Sequence, residues 1–238
     1  MALPKVNETL NFTMTIPSSG QTVKFRPYLV KEEKILLQAF ESRDTVACLR
    51  AMSDTIEACL DEREKIEVIK LATFDIEYMF TQIRAKSVGE QSTILIACKD
   101  CEERNEYTVD LEKLEVTVAS GQNIVEVTNG IKVEMRYPTY ETMINGDITE
   151  ADSGDMDAAM RVLAGSILAV HTGDQRIDAS EHTIEELVDF LQSMTAGQLK
   201  KVSEFLEEMP KLQHEAAFAC QKCETVNELT LSGLSDFF

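Results

Sequence analysis

Apolar residues recur along this chain in two rhythms, and the switches between them mark its parts. Over residues 9–30 the period is two. Thr13 and Thr15 alternate with Met14 and Ile16, Pro17-Ser18-Ser19-Gly20 marks a turn, and Val23-Lys24-Phe25-Arg26-Pro27 resumes the alternation. Successive side chains of a strand point to opposite faces, so this predicts a hairpin. Over residues 31–86 the steps lengthen to three and four, the spacing of one helix face. Ile35, Leu36, Ala39 and Phe40 share a face of a first helix, which breaks between Ser42 and Asp44. Val46, Leu49, Met52, Ile56 and Leu60 define a second helix, and Ile76, Met79, Phe80 and Ile83 the inner face of a third, from about Phe74 to Lys86. Cys48 and Cys59 lie within the second helix and read as small buried hydrophobes.

Period two returns over residues 92–136, with Asn129-Gly130 between Val127 and Ile131 as a two-residue hairpin signal. Residues 139–209 read as helix again. Met160, Leu163, Ile167 and Val170 form one stripe between Met156 and Val170. Thr183-Ile184-Glu185-Glu186 and Thr195-Ala196-Gly197-Gln198 fit capping boxes, and Pro210 closes the last helix. The expected fold class is α+β. Residues 1–90 form the N-terminal hairpin and helices, and 91–137 a β-rich segment. Residues 138–212 form an acidic helical insertion, and 213–238 pack back on 91–137.

That packing is expected because two distant segments share one frame. Ala97-Cys98-Lys99-Asp100-Cys101-Glu102 through Thr108 and Ala219-Cys220-Gln221-Lys222-Cys223-Glu224 through Thr230 both read A-C-x-x-C-E-x-x-N-E-x-T. Each CxxC is flanked by strand-like sequence, the pattern of a zinc knuckle. Two knuckles supply the four thiolates of a closed tetrahedral site. The expectation is one structural zinc per chain on Cys98, Cys101, Cys220 and Cys223, in a zinc-ribbon-like region. A redox CxxC opens a helix instead, and His214, six residues before Cys220, is the alternative donor.

Composition narrows the function classes. The 238 residues are 44% hydrophobic and 27% charged, with 42 acidic against 23 basic side chains and a net charge of −19. No apolar run approaches the roughly 20 residues that span a bilayer, and MALPKVNETL lacks a secretory apolar region. A cytosolic chain is expected, in which paired cysteines point to metal rather than disulfides. The negative charge disfavours contact with a phosphate backbone. A zinc-ribbon nucleic-acid module, drawing on Lys99, Arg104 and Lys222, is the alternative reading.

Other motifs carry less. Ser18-Ser19-Gly20 lacks the lysine of a phosphate loop. Asn145, Asp147 and Thr149 begin a calcium-loop spacing, but Glu150 replaces its glycine and Met156 its final glutamate. The six carboxylates from Glu141 to Asp157 then read as a solvated linker or a docking surface for a basic partner. His171, His182 and His214 form no recognisable triad, and no catalytic or cofactor-binding residue is assigned. Leu234, Phe237 and Phe238 either anchor into another subunit or pack on their own domain.

Taken together, Ile16-Pro17-Ser18-Ser19-Gly20-Gln21-Thr22-Val23-Lys24-Phe25-Arg26-Pro27 with Tyr28 to Leu36, Phe74 to Tyr78, Gln82 to Glu90, Met194 to Leu199 and Glu208 to Leu212 resemble the T-even-like bacteriophage baseplate proteins. The resemblance spans nearly the whole chain. It implies a non-enzymatic assembly factor, chaperone or scaffold, or a subunit, of the central baseplate hub of a contractile tail. The implied partners are other baseplate hub or tail proteins, met in the host cytoplasm during assembly or in the virion baseplate. The zinc reading comes from spacing and not from this resemblance.

Overall fold

The structure, a computed structural model, describes residues 12–61, 63–117, 123–145 and 154–237. It mixes helices with small antiparallel sheets, an α+β architecture. The chain divides into two compact units. One comprises Met1–Val68, Phe74–Thr117 and Lys211–Phe238, the other Ile69–Thr73 and Val118–Pro210.

The first unit opens with the expected hairpin. Strand β1 (Phe12–Thr15) pairs with β2 (Thr22–Phe25), and Gly20 closes the turn at φ +69°. Met14, Ile16, Val23 and Phe25 are buried by it. Helix α1 (Val30–Ser42) ends at Arg43 in the left-handed region, and α2 (Thr45–Cys59) starts where the Asp44 carboxylate accepts from the Ala47 amide. Helix α3 (Thr73–Ser87) buries Ile76, Met79, Phe80 and Ile83 as expected. Cys59 is buried and Cys48 half-buried, in keeping with packing roles.

The inner face of α1 differs from the expected one. Leu36 is buried, but Ile35 and Phe40 are 54% and 47% exposed. Buried Glu32 shares the inward line with Leu36, four residues on. The Arg26 guanidinium bonds its Oε1 at 2.9 Å, and its Oε2 accepts the Leu29 amide at 2.8 Å. Ile35 and Phe40 flank that line at about 60–80° on either side, since each residue turns the helix by about 100°.

Strands β3 (Gln91–Ala97) and β4 (Arg104–Asp110) then form an antiparallel ribbon, followed by the short β5 (Glu115–Val116).

The second unit begins with β6 (Ile124–Thr128) and β7 (Ile131–Met135), turned by Asn129-Gly130 with Gly130 at φ +88°. Helices α4 (Tyr140–Ile144) and α5 (Met156–Gly165) follow. The predicted helical stripe does not continue to Val170. Ile167 starts β8 (Ile167–Thr172), which pairs with β7 and with β9 (Gln175–Asp178) in a four-stranded antiparallel sheet of order β6-β7-β8-β9. Gly165 is a poor helix former, and the Ser166 hydroxyl bonds back to the Val162 carbonyl at 2.8 Å. Ile167 and Ala169 then alternate inward along β8, and Val170 stands opposite Val133. Both expected capping boxes are present, opening α6 (Ile184–Gln192) and α7 (Ala196–Glu207). Val127, Val133, Leu163, Ile167, Leu191 and Val202 form the core of this unit.

Asp147 and Thr149 of the calcium-loop reading lie outside the described residues. Asn145 is the C-cap of α4, and the Asp155 carboxylate caps α5 by accepting from the Asp157 and Ala158 amides.

The chain returns to the first unit as β10 (Leu212–Ala219) and β11 (Val226–Ser232), with β10 central in a sheet of order β11-β10-β5. Phe237 is fully buried beside Leu111, Leu114, Leu212 and Leu231. Its backbone carbonyl accepts the Ser92 hydroxyl at 2.6 Å. The tail residue Phe237 thus packs on its own unit; Phe238 lies outside the described residues. No described helix is long and apolar enough to cross a membrane.

A candidate metal centre

Each CxxC occupies the turn of a ribbon, Cys98 and Cys101 between β3 and β4, Cys220 and Cys223 between β10 and β11. The turns fold alike because their frames are alike. The Cys98 amide donates to the Glu103 carbonyl at 2.8 Å and the Cys220 amide to the Thr225 carbonyl at 2.9 Å. The Glu102 and Glu224 amides donate back to the carbonyls of Cys98 and Cys220. Those two glutamates adopt left-handed φ values of 57° and 60°. The outgoing strands β4 and β11 carry the same burial pattern residue for residue, so Asn105 matches Asn227 and Val109 matches Leu231.

The four sulfurs converge, all within 4.8 Å of one another. Cys98 Sγ lies 3.7 Å from Cys223 Sγ, and Cys101 Sγ 3.6 Å from Cys220 Sγ. All six cysteines are free thiols. Disulfide sulfurs would sit at about 2.05 Å. A tetrahedron of sulfurs about 2.3 Å from a central zinc has edges of about 3.8 Å. The donor set and its spacing therefore fit a metal ion of that size and softness.

Donors surround the sulfurs. The Asp100 amide points at Cys98 Sγ from 3.4 Å and the Lys222 amide at Cys220 Sγ from 3.5 Å. Hydrogen bonding from the Asp100 amide, then that of Cys101, pulls the Cys98 thiol down to about 6. The Cys223 and Lys222 amides likewise lower that of Cys220. Against the lowering bond from the Glu103 amide, the neighbouring sulfurs push the Cys101 thiol up to about 12, so Cys98 and Cys220 are the thiols poised as thiolate, the form that binds metal.

The repeated asparagines cross from one ribbon to the other. Asn227 Nδ2 donates to Cys98 Sγ at 3.5 Å while its Oδ1 accepts the Lys99 amide at 2.9 Å. Asn105 Nδ2 donates to Cys220 Sγ at 3.7 Å and its Oδ1 accepts the Gln221 amide at 2.9 Å. Both asparagines are almost completely buried. The shared Asn of the frame signalled them, but sequence spacing carried no hint that each serves the opposite knuckle. Two outer contacts tie the turns together: Lys222 Nζ to Glu103 at 3.0 Å and Thr225 Oγ1 to Asp100 at 3.0 Å.

The histidines are elsewhere. His214 meets Tyr107 Oη at 3.1 Å, His171 meets Glu134 at 3.0 Å, and His182 meets Glu186 at 3.1 Å. Among the described residues, the only group of ligand side chains close enough to share an ion is the four cysteines.

A family model described as T4 bacteriophage base plate protein matches residues 8–238. No curated protein and no solved structure matches the chain. A match over all but the first few residues places this chain in the T4 bacteriophage base plate protein family.

Proposed function

We propose that this chain is a non-enzymatic assembly factor, or a subunit, of the central baseplate hub, and that Cys98, Cys101, Cys220 and Cys223 hold one structural zinc ion. The convergence of four thiols on turns more than a hundred residues apart carries the metal part of this reading. Zinc would supply charge neutralisation for four thiolates and fix both turns. Four sulfurs leave no open position for water or substrate, so the role is architectural. Closing so long a loop costs conformational entropy that grows slowly with length, and zinc binding of roughly 10 kcal/mol or more offsets it.

The hub role is supported by family membership and by the acidic surface. A charge of −19 steers basic protein partners. It opposes phosphate backbones, and at the knuckles Lys222 is paired with Glu103. The place of action is the host cytoplasm during assembly, and the virion baseplate for a retained subunit.

Two measurements test the parts separately. Elemental analysis of the purified protein should find about one zinc per chain, with none in Cys220→Ser/Cys223→Ser; metal-free wild type would remove the zinc. Affinity capture from phage-infected cells should recover baseplate hub or tail proteins. Their absence from the capture would remove the hub role.

A further inference from the structure

The second unit carries an apolar groove that its own core does not fill. It is lined by residues of α5 and α7 together with Pro138 and Met209, and has a volume of about 630 Å³. Its apolar surface includes Met156, Met160, Leu199, Leu206 and Met209. Met156 is 73% exposed, far beyond what a core-facing methionine shows. Methionine is unbranched and polarisable, and linings built from it re-pack around a guest side chain.

Two observations specify the guest. The first is the shape of the walls, which come from helices and connecting segments, with no strand edge among them. An extended peptide would find no row of unpaired backbone groups to bond, whereas a helix satisfies its own backbone and needs only apolar contact. Helix α5 has 10 residues and α7 has 12, so each wall is about 15–18 Å long. Anchors at i, i+3 and i+7 of a docking helix span about 10.5 Å and fit that length.

The second is charge. Asp155 and Asp157 flank Met156 and are exposed. Glu207 lines the groove, and Glu204 and Glu208 are exposed beside it in sequence at the C-terminal part of α7, whose last turn holds no basic residue and whose carbonyls add partial negative charge. Lys200 on the wall lies 3.8 Å from Glu204, which partly neutralises it. Residues 118–210 as a whole hold 17 acidic and six basic side chains.

We infer that this groove receives an amphipathic helix with a basic polar face, contributed by a partner protein. The inference rests on the reading of the chain as a hub assembly protein and adds the chemistry of what it binds.

The test uses the full chain carrying 13C-methyl methionine and two synthetic amphipathic peptides of about 14 residues, or four turns. Both have leucine at helical spacing, and they differ only in bearing lysine or glutamate on the polar face. The lysine peptide should shift the methyl resonances of Met156, Met160 and Met209 and leave buried Met52 and Met79 in place. The glutamate peptide should shift none. Met156→Lys, at an exposed position that tolerates it, should weaken the lysine peptide by at least about tenfold, the effect of losing one buried methionine contact and adding a like charge. Ser203→Lys tests the opposite wall. Equal binding of the glutamate peptide, shifts outside the groove, or undiminished binding by both variants overturns the inference. So does self-association of the wild type that Met156→Lys abolishes, since the occupant is then a second copy. Capture from infected cells keeps the two readings apart. Baseplate proteins recovered equally by wild type and both variants overturn the groove alone. Their absence from the wild-type capture overturns the hub reading beneath it.

Discussion

Replacing Asn227 by alanine should loosen the proposed zinc at Cys98, a residue 129 positions away in sequence. The amide of Asn227 makes three contacts: Nδ2 to Cys98 Sγ at 3.5 Å, Nδ2 to the Thr225 carbonyl at 2.9 Å, and Oδ1 from the Lys99 amide at 2.9 Å. The side chain is buried, so water cannot replace these partners without opening the turn. A hydrogen bond to a charged acceptor contributes about 1.5–3 kcal/mol. At about 1.4 kcal/mol per decade, zinc affinity should fall about 10- to 100-fold, the range seen when groups that orient metal ligands are removed. Asn227→Asp keeps the acceptor for Lys99 but removes the donor and brings negative charge to the thiolates, so it should be at least as harmful. Asn105→Ala should do the same to Cys220. Competition against a chromophoric zinc chelator at fixed pH measures the affinity, and hydrogen exchange reads the crossing directly. Asn227→Ala should speed exchange at Lys99, and Asn105→Ala at Gln221. An affinity within about threefold of wild type in folded Asn227→Ala and Asn227→Asp would refute the reasoning, leaving the asparagines as turn supports that do nothing for the sulfurs.

Three further outcomes follow from the geometry. Burial holds the Glu77 carboxyl up at about 7, against 4.5 for the free group, with the Leu234 amide opposing the shift. The folded state therefore binds this proton more tightly than the unfolded chain, so its stabilisation is complete below pH 4.5 and is lost as pH rises through about 7. At about 1.36 kcal/mol per unit, Glu77→Gln should gain about 3 kcal/mol over wild type above that window in urea unfolding, and a parallel pH profile would contradict it. Glu102→Gly and Glu224→Gly should each raise the melting temperature, because a left-handed non-glycine residue costs about 1–2 kcal/mol and glycine returns only about 0.5–1 of that as chain entropy; a fall would mean that the glutamates contribute more than a place in the turn. Removing metal with a strong chelator should lower a calorimetric transition of the first unit and spare the second unit, whose core holds no cysteine, and a common drop in both would contradict that.

Features governed by local chemistry were legible in the chain. The hairpin turns at Gly20 and Gly130, the helix break between Ser42 and Asp44, the caps at Thr183 and Thr195, and the stop before Pro210 depend on a few adjacent residues, and the structure has each. The four cysteines were legible for a different reason: a repeated frame is long-range information written twice. What misled the reading was degeneracy. Met160, Leu163, Ile167 and Val170 satisfy the helical spacing as well as any true stripe, yet Ile167 and Ala169 also alternate. Gly165 weakens the helix locally, but the strand beyond it is set by its neighbour β7, which offers Val133 opposite Val170, and pairing partners are invisible to a local window. The α1 face failed similarly, because the inward position at Glu32 is held by a carboxylate whose partner, Arg26, lies outside the helix.

The crossing asparagines show where legibility ends at the candidate centre itself. An Asn seven residues after the first cysteine of each pair reads, within one repeat, as a strand residue of low β propensity. Within one knuckle it does bond backward, Asn105 to the Glu103 carbonyl and Asn227 to that of Thr225. Its second donor and its acceptor, however, are free to serve another turn, and burial demands that they do. The partner must present a sulfur and a backbone amide side by side, and the loop Cys98-Lys99 or Cys220-Gln221 of the sister ribbon does so. Each ribbon thus completes the hydrogen bonding of the other before any metal is considered. The two turns should then approach as a matched pair in the apo chain, leaving zinc to lock an arrangement that the asparagines have already aligned.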